Sequence, residues 1–126
     1  MSWTSSRQTP SQSAYGGPLY ILVDGGCFSA CEDAVAPFKD NHRAVLVGER
    51  TAGSSGQPYQ QNLKYGMGLS LSTKREYFLD GSRFEGVGIS PDVEVKTRAA
   101  DIREGKDPVL TEALALVRTS TKPLQH

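Results

Sequence analysis

Residues 18–41, PLYILVDGGCFSACEDAVAPFKDN, are the stretch of sequence that decides the fold. The run from Leu19 to Val23 is short and apolar throughout, which is typical of a β-strand buried on both faces. Asp24 and two glycines follow, and glycines allow the chain to turn sharply. The next segment has helical spacing and begins at Ser29. The sequence therefore predicts a strand, a tight turn and a helix, with a serine where the helix begins.

Ser29 has two interpretations, which its spacing leaves open. With Glu32 three residues later, it has the signature of a capping box. A strand-to-helix turn is also a place where a serine nucleophile is presented. In that case the amide of Ala30 would donate to the developing oxyanion, near the positive end of the helix dipole. The G-x-S-x-G spacing of the α/β-hydrolases is absent, so pattern alone does not choose between the two.

The helix predicted over residues 29–41 has an apolar stripe and a polar face. Pro37 lies within it and lacks an amide donor, which predicts a kink or an early end. We expect Ala30, Ala34, Val35 and Phe38 to face the core and Glu32, Asp33, Lys39 and Asp40 to point away.

The chain after this helix predicts an α/β fold. A second apolar run at 43–48 completes a strand–helix–strand unit, which predicts parallel strands joined by a right-handed crossover. Residues 59–65 and 68–78 alternate apolar and polar side chains, which predicts an antiparallel hairpin. Residues 93–95 predict a short edge strand. Asp107-Pro108 predicts the N-cap and first position of a last helix.

Length and charge limit the classes of partner. The 126 residues are enough for one domain, and 14 basic residues balance 14 acidic ones. We therefore expect no nucleic-acid partner, and the longest apolar run is too short to span a membrane. Residues 1–17 are polar, lack the pattern of a signal peptide and predict a flexible lead-in, and residues 120–126 predict a frayed tail.

Cys27 and Cys31 predict neither a metal site nor a disulfide. A zinc site needs four ligands, and no histidine lies close to this pair in the sequence. Two cysteines in a chain of this length do not form a disulfide scaffold. We expect both to be small apolar packing residues, and we predict no metal and no cofactor.

A serine nucleophile needs a general base, and the sequence offers no convincing one. His42 follows the helix, which places it ~18 Å from Ser29 at 1.5 Å per residue, and His126 is the last residue, where chain ends fray. A lysine serves as a base only when it is desolvated. The lysines considered lie in polar segments and are expected to be exposed: Lys64, Lys74 and Lys96.

Glu85 lies in a glycine-rich segment, FEGVGI, and also has two interpretations. A glutamate in such a turn can simply be solvated. Alternatively, its carboxylate orients another group in an active site.

Five segments, taken in order, resemble the C-terminal processing (tail-specific) serine peptidases, which include the tricorn protease core. The resemblance covers residues 18–118 and implies a crotonase-like β-α superhelix, consistent with the parallel βαβ unit. Residues 18–119 would then be the C-terminal part of a catalytic domain. The segments are LVDGG at 22–26, SACE at 29–32, DNHRAVLVGE at 40–49, TAG at 51–53, and DG at 80–81 with EGVGISPDVEV at 85–95.

The resemblance implies roles for three residues. Ser29 matches the family nucleophile, the amide of Ala30 matches one oxyanion donor, and Glu85 fits the glutamate of the tricorn-like branch. In the Ser-Lys branch the base is a lysine 25 residues after the serine, where this sequence has Ser54. We therefore do not expect a Ser-Lys mechanism. In the tricorn-like branch the base is a histidine upstream of the serine, which would precede residue 1.

The resemblance thus implies part of a serine peptidase that acts on peptides or unfolded proteins by acyl transfer. We expect little activity from the chain alone, because upstream sequence or a partner chain would supply the base. The alternative is a non-catalytic binding or assembly module that keeps the fold. Half a superhelix leaves strand edges and apolar surface uncovered, so we expect a homo-oligomer or pairing with an upstream half. Members of this family are often periplasmic or secreted, but the sequence itself indicates no compartment.

Overall fold

The structure is a computed structural model that describes residues 11–120. The first ten residues of the predicted lead-in, and the predicted tail from residue 121, lie outside the described residues. A single 3₁₀ turn, Lys64–Gly66, connects the third and fourth strands. The elements are, in chain order, β1 (Tyr20–Val23), α1 (Ala30–Asp40), β2 (Val45–Gly48), β3 (Pro58–Asn62), β4 (Gly68–Ser72), β5 (Val93–Glu94), α2 (Ala99–Arg103) and α3 (Pro108–Ser120).

A three-stranded parallel sheet forms the centre of the structure. Its strand order is β1-β2-β5, with Ile21 opposite Leu46 and Val47 opposite Val93. The parallel βαβ unit is as predicted, and β5 lies at an edge, also as predicted. The second sheet is the predicted antiparallel hairpin, β3 paired with β4 around the 3₁₀ turn. The predicted α/β fold with a parallel βαβ core, a hairpin and a C-terminal helix is therefore confirmed.

The core lies on both faces of β2. Leu46 and Val47 are completely buried, and neighbouring residues of a strand point to opposite faces of the sheet. Leu46 belongs to an apolar cluster with Val35 of α1, and α3 contacts β1 and β2. The cluster extends beyond the sheet into the glycine-rich segment, and its buried members are Val23, Cys27, Val35, Ala44, Leu46, Phe84 and Ile89.

The face that α1 turns towards the core differs from the predicted one. Val35 is buried as predicted, but Glu32, which was predicted to point away, is completely buried. Pro37 does not end the helix early, since α1 continues to Asp40. The prediction failed because a carboxylate can be buried where hydrogen-bond donors surround it, and an apolar pattern does not show such donors. The rest of the predicted stripe is exposed, namely Ala30, Ala34 and Phe38.

The last helix begins as predicted. The carboxylate of Asp107 accepts a hydrogen bond of 2.8 Å from the amide of Leu110, which is an N-cap at the start of α3. The short helix α2 was not predicted, and the carboxylate of Asp101 accepts from the amide of Arg98 at its start. Among residues 11–120, no helix has the length and apolar character needed to cross a membrane.

Asp92, directly before β5, connects that edge strand to the rest of the sheet. Its carboxylate accepts a hydrogen bond of 2.9 Å from the amide of Leu46, and its own amide donates to the Leu46 carbonyl at 2.8 Å. The Lys39 ammonium of α1 pairs with its other carboxylate oxygen. Burial raises the pKa of Asp92, but the bonds from Lys39 and Leu46 outweigh burial and hold that pKa below its usual value.

We expect Asp92 to make stability depend on pH in the acid range. Its pKa is lower in the folded state than the unfolded value of about 3.9, so its stabilisation is complete above that pH and is lost as the pH falls through the folded pKa. Asp92→Asn should lower the melting temperature at pH 7 and flatten the loss of stability below about pH 4. Thermal unfolding between pH 7 and pH 3 measures both effects.

Glu94→Gln is the control for this experiment, because Glu94 lies two residues after Asp92, in β5, but forms an exposed ion pair with Lys96. We expect it to change the melting temperature at pH 7 very little. An acid loss of stability as steep in Asp92→Asn as in the wild type would contradict the role assigned to Asp92.

Candidate active site

Ser29 occupies a strained position directly before α1. Its φ of 53° and ψ of −122° are angles that residues other than glycine rarely adopt, and such strain costs on the order of 1–3 kcal/mol. A strained serine at a strand-to-helix turn is typical of an exposed nucleophile, although the G-x-S-x-G spacing is absent here. The Ser29 hydroxyl makes no capping hydrogen bond to α1. The capping-box interpretation of this residue is therefore wrong.

The carboxylate of Glu32 does not form a capping box. It stabilises the loop over residues 51–55, which contacts the serine turn. It is completely buried and accepts three hydrogen bonds from that loop. The donors are the hydroxyl of Thr51 at 2.5 Å, the amide of Gly53 at 2.7 Å and the amide of Ser54 at 2.8 Å. Sequence analysis missed this role, since its only sequence signal was an acid at the fourth position of the SACE segment.

The loop over residues 51–55 contacts the serine turn at Ser29 and at Cys27, two residues before it. The Ser54 carbonyl accepts a hydrogen bond of 2.7 Å from the amide of Ser29. The amide of Ala52 donates to the carbonyl of Cys27 at 3.0 Å. The backbone of this loop therefore supports the strained turn, and the loop is itself stabilised by the Glu32 carboxylate.

Glu85 contacts the same loop. One of its carboxylate oxygens, Oε1, accepts from the hydroxyl of Ser55 at 2.9 Å and from its amide at 3.3 Å. The amide of Gly86 donates to the carbonyl of Gly53 at 2.7 Å. Gly53 and Gly88 both have positive φ, and a Cβ added to Gly53 would lie 2.5 Å from the amide nitrogen of Gly88. The two segments thus cross with no space for a side chain.

Ser29 and Glu85 each form a hydrogen bond with the loop over residues 51–55, at two neighbouring residues of that loop. The Ser29 amide is bonded to Ser54, and the Glu85 carboxylate is bonded to Ser55. Ala30 is the first residue of α1, and the amides in the first turn of a helix have no acceptor within the helix. Within residues 11–120, no hydrogen bond uses the second carboxylate oxygen of Glu85.

Of the other candidate bases, His42 is not brought to the serine. His42 follows the far end of α1, about 16 Å along an eleven-residue helix, where its amide donates to the carbonyl of Lys39. Lys64 and Lys96 are exposed as predicted. Lys74 was wrongly predicted to be exposed, since its side chain is mostly buried and is paired with carboxylates. His126 lies outside the described residues.

Cys27 and Cys31 form a disulfide, which contradicts the prediction that both are packing residues. Cys27 is buried in the core cluster as predicted, but Cys31 is exposed. The sharp turn brings their Cα atoms to 5.4 Å, within the range that a disulfide requires. Spacing did not reveal this, because the distance between two residues four apart depends on the conformation of the turn between them.

The fold of this chain is shared with known peptidases. Among solved structures, the tricorn protease matches with a TM-score of 0.71 and 26% identity, over 80% of this chain and 10% of that chain. Mature CPAF matches with a TM-score of 0.70 and 28% identity, over 86% of this chain and 21% of that chain.

The sequence itself identifies the family. The family model of peptidase family S41 matches residues 2–95, so the chain belongs to that family. A carboxy-terminal-processing protease from Bartonella bacilliformis is 29% identical over 96 residues, which are 76% of this chain and 22% of that protease. The predicted membership of the C-terminal processing peptidases is confirmed. The chain spans 15% to 22% of the length of the first curated relatives it matches.

Glu32 should be critical for stability. Glu32→Ala leaves three donors without their acceptor, two of them backbone amides, so we expect the free energy of unfolding to fall by about 3 kcal/mol or more. Glu32→Gln should also destabilise, because its amide group places a donor against donors. Urea unfolding followed by circular dichroism measures the loss.

Asp33→Ala is the matched control, since Asp33 is the next residue and its side chain is half exposed. Removing an exposed acid near a helix N-terminus should cost about 1 kcal/mol or less. Equal losses in the Glu32→Ala and Asp33→Ala variants would show that the buried hydrogen bonds do not stabilise the loop.

Proposed function

We propose that this chain supplies the nucleophile and the orienting acid of a serine peptidase, with Ser29 attacking the carbonyl carbon of a peptide bond. The observation that supports this most directly is the strained conformation of Ser29, with a hydroxyl that caps nothing. A protein retains strain of this kind where function requires it, since a plain helix cap adopts ordinary extended angles.

The N-terminus of α1 is suited to stabilising an oxyanion. In the proposed reaction, the hydroxyl of Ser29 gives its proton to the general base as its oxygen bonds to the substrate carbonyl carbon, and the electron pair of the carbonyl double bond moves onto the carbonyl oxygen, which becomes negative. The amide of Ala30 donates to that oxygen, and the positive end of the α1 dipole adds to the stabilisation. A second oxyanion donor would come from polypeptide upstream of this chain.

Glu85 would orient the general base. Its Oε1 is held by Ser55, which leaves Oε2 to accept a hydrogen bond from an imidazole. We propose that this imidazole belongs to a histidine in upstream sequence or in a partner chain, because His42 lies beyond the far end of α1. The substrates would be peptides or unfolded proteins, as the names of the related carboxy-terminal-processing proteases suggest.

A fluorophosphonate probe tests this proposal. Without a base, Ser29 should react on the order of 10³-fold or more slowly than an intact serine hydrolase, because losing one triad member costs several powers of ten. Joining the chain to an upstream half that contains a histidine should restore rapid labelling. Mass spectrometry of labelled peptides should place the label on Ser29.

Two variants serve as controls for the labelling experiment. Ser29→Ala should abolish labelling, and Ser70→Ala, on the exposed strand β4, should leave it unchanged. Rapid labelling of the isolated chain would contradict the need for an outside base. Absence of labelling in the joined protein would reject the peptidase proposal and leave the binding or assembly module.

The hairpin of β3 and β4 supports the proposal that the chain pairs with an upstream half or another copy. Every residue of both strands is exposed, and a lone two-stranded hairpin is only marginally stable in water. Tyr59 lies opposite Leu71 across the hairpin. Leu69 and Leu71 lie on one face, because alternate residues of a strand point the same way. A partner that covered this face would bury a continuous apolar surface.

We therefore expect the isolated chain to self-associate. Light scattering should give a mass that rises above the monomer value of 13.6 kDa as concentration increases. The double variant Leu69→Ser with Leu71→Ser should reduce this association. Leu79→Ser, which changes an exposed leucine outside the hairpin, should not. A wild-type monomer at high concentration would contradict the expectation.

A further inference from the structure

The disulfide between Cys27 and Cys31 brackets the strained serine. Ser29 is the central residue of the five, so the bond joins the segment before the serine to the first turn of the helix after it. The only covalent cross-link in residues 11–120 is therefore placed across the turn that carries the proposed nucleophile.

The contacts around the turn explain why a clamp is needed there. The Ser29 side chain makes no capping bond, so it does not stabilise its own strained backbone. Before the serine, the amide of Cys27 donates to the Asp24 carbonyl at 3.0 Å. After it, the amide of Cys31 donates to the Phe28 carbonyl at 3.1 Å. These neutral hydrogen bonds are individually modest, and the strained serine relaxes more easily without a covalent bond across the turn.

We propose that the Cys27–Cys31 disulfide is a redox-sensitive clamp that positions Ser29 for reaction, so that a dithiol reductant lowers the reactivity of the serine. This inference rests on the proposed role of Ser29 as a nucleophile. Cys27 and Cys31 are positioning residues in this proposal, since neither would touch the substrate.

The different exposure of the two cysteines sets the direction of the reduction. Cys31 is exposed and Cys27 is buried, and both line an open cleft on the surface together with Asp24 and Gly26. A thiolate of the dithiol attacks the sulfur of Cys31, the sulfur–sulfur bond breaks, and the electron pair leaves on Cys27. The Cys27 thiolate then takes up a proton.

The second thiol of the reductant completes the exchange. It loses its proton and attacks the reductant sulfur of the mixed disulfide, which releases Cys31 as a thiolate that takes up a proton. The reductant is oxidised to a disulfide, and the protein is left with two thiols. In a reducing compartment the disulfide would be broken and the serine turn would be free to relax. In an oxidising compartment the disulfide would hold the turn in its strained conformation.

Hydrogen exchange tests the clamp without relying on catalysis. The chain is measured oxidised and after reduction with dithiothreitol, and the thiols are counted by alkylation. We expect the amide of Ser29, which donates to the Ser54 carbonyl, to exchange at least tenfold faster after reduction. The amide of Leu46 in the buried central strand should keep its protection, which shows that the fold is intact.

Labelling of Ser29 by the fluorophosphonate probe provides the functional readout. On the isolated chain the slow residual rate should fall at least tenfold after reduction and recover on reoxidation. The loss should appear in the maximal rate of labelling, with the half-saturating probe concentration unchanged. The double variant Cys27→Ser with Cys31→Ser should match the reduced wild type and should not respond to dithiothreitol.

The two readouts separate this inference from the proposed function. Faster exchange at Ser29 after reduction, with no labelling of the protein joined to its upstream half in either redox state, would uphold the clamp and reject the nucleophile. Unchanged exchange and unchanged labelling after reduction would overturn the clamp. A loss of protection at Leu46 equal to that at Ser29 would also overturn it, because the disulfide would then stabilise the whole fold and not the turn.

Discussion

The buried carboxylate of Glu32 is the interaction on which the rest of the site depends. Removing a charge from water is expensive, and only well-placed donors compensate for it. Here the donors are the Thr51 hydroxyl and two amides of the same loop. The oxygen of that hydroxyl also accepts a hydrogen bond of 2.8 Å from the amide of Ile89. One side chain of α1 thus determines where both the loop and the glycine-rich segment lie.

The sequence predicted the regular elements well, because each is encoded by local periodicity or by a local cap. The parallel unit, the hairpin and the cap at Asp107 all depend on neighbouring residues. The burial of Glu32 could not be predicted in the same way, since its partners lie 19 to 22 residues further along the chain. The disulfide and the positive φ of Ser29 likewise exist only once the turn has formed.

The support of the serine turn comes from backbone groups and hardly from the side chains of the loop. Ser54 contributes a carbonyl to Ser29, and Gly53 contributes an amide to Glu32. The Ser-Lys branch of the family has a lysine at the position of Ser54. Because the backbone of Ser54 makes the contacts with Ser29 and Glu32, these contacts do not require a particular side chain at this position.

The crossing of Gly53 and Gly88 has a mechanical consequence. A Cβ on Gly88 would lie 2.2 Å from the carbonyl oxygen of Thr51, so the two backbones are in direct contact at this point. The loop over residues 51–55 and the glycine-rich segment that contains Gly88 cannot move past each other without one displacing the other. The crossing therefore fixes the segment that carries Glu85 against the loop whose Ser54 carbonyl accepts the hydrogen bond from Ser29.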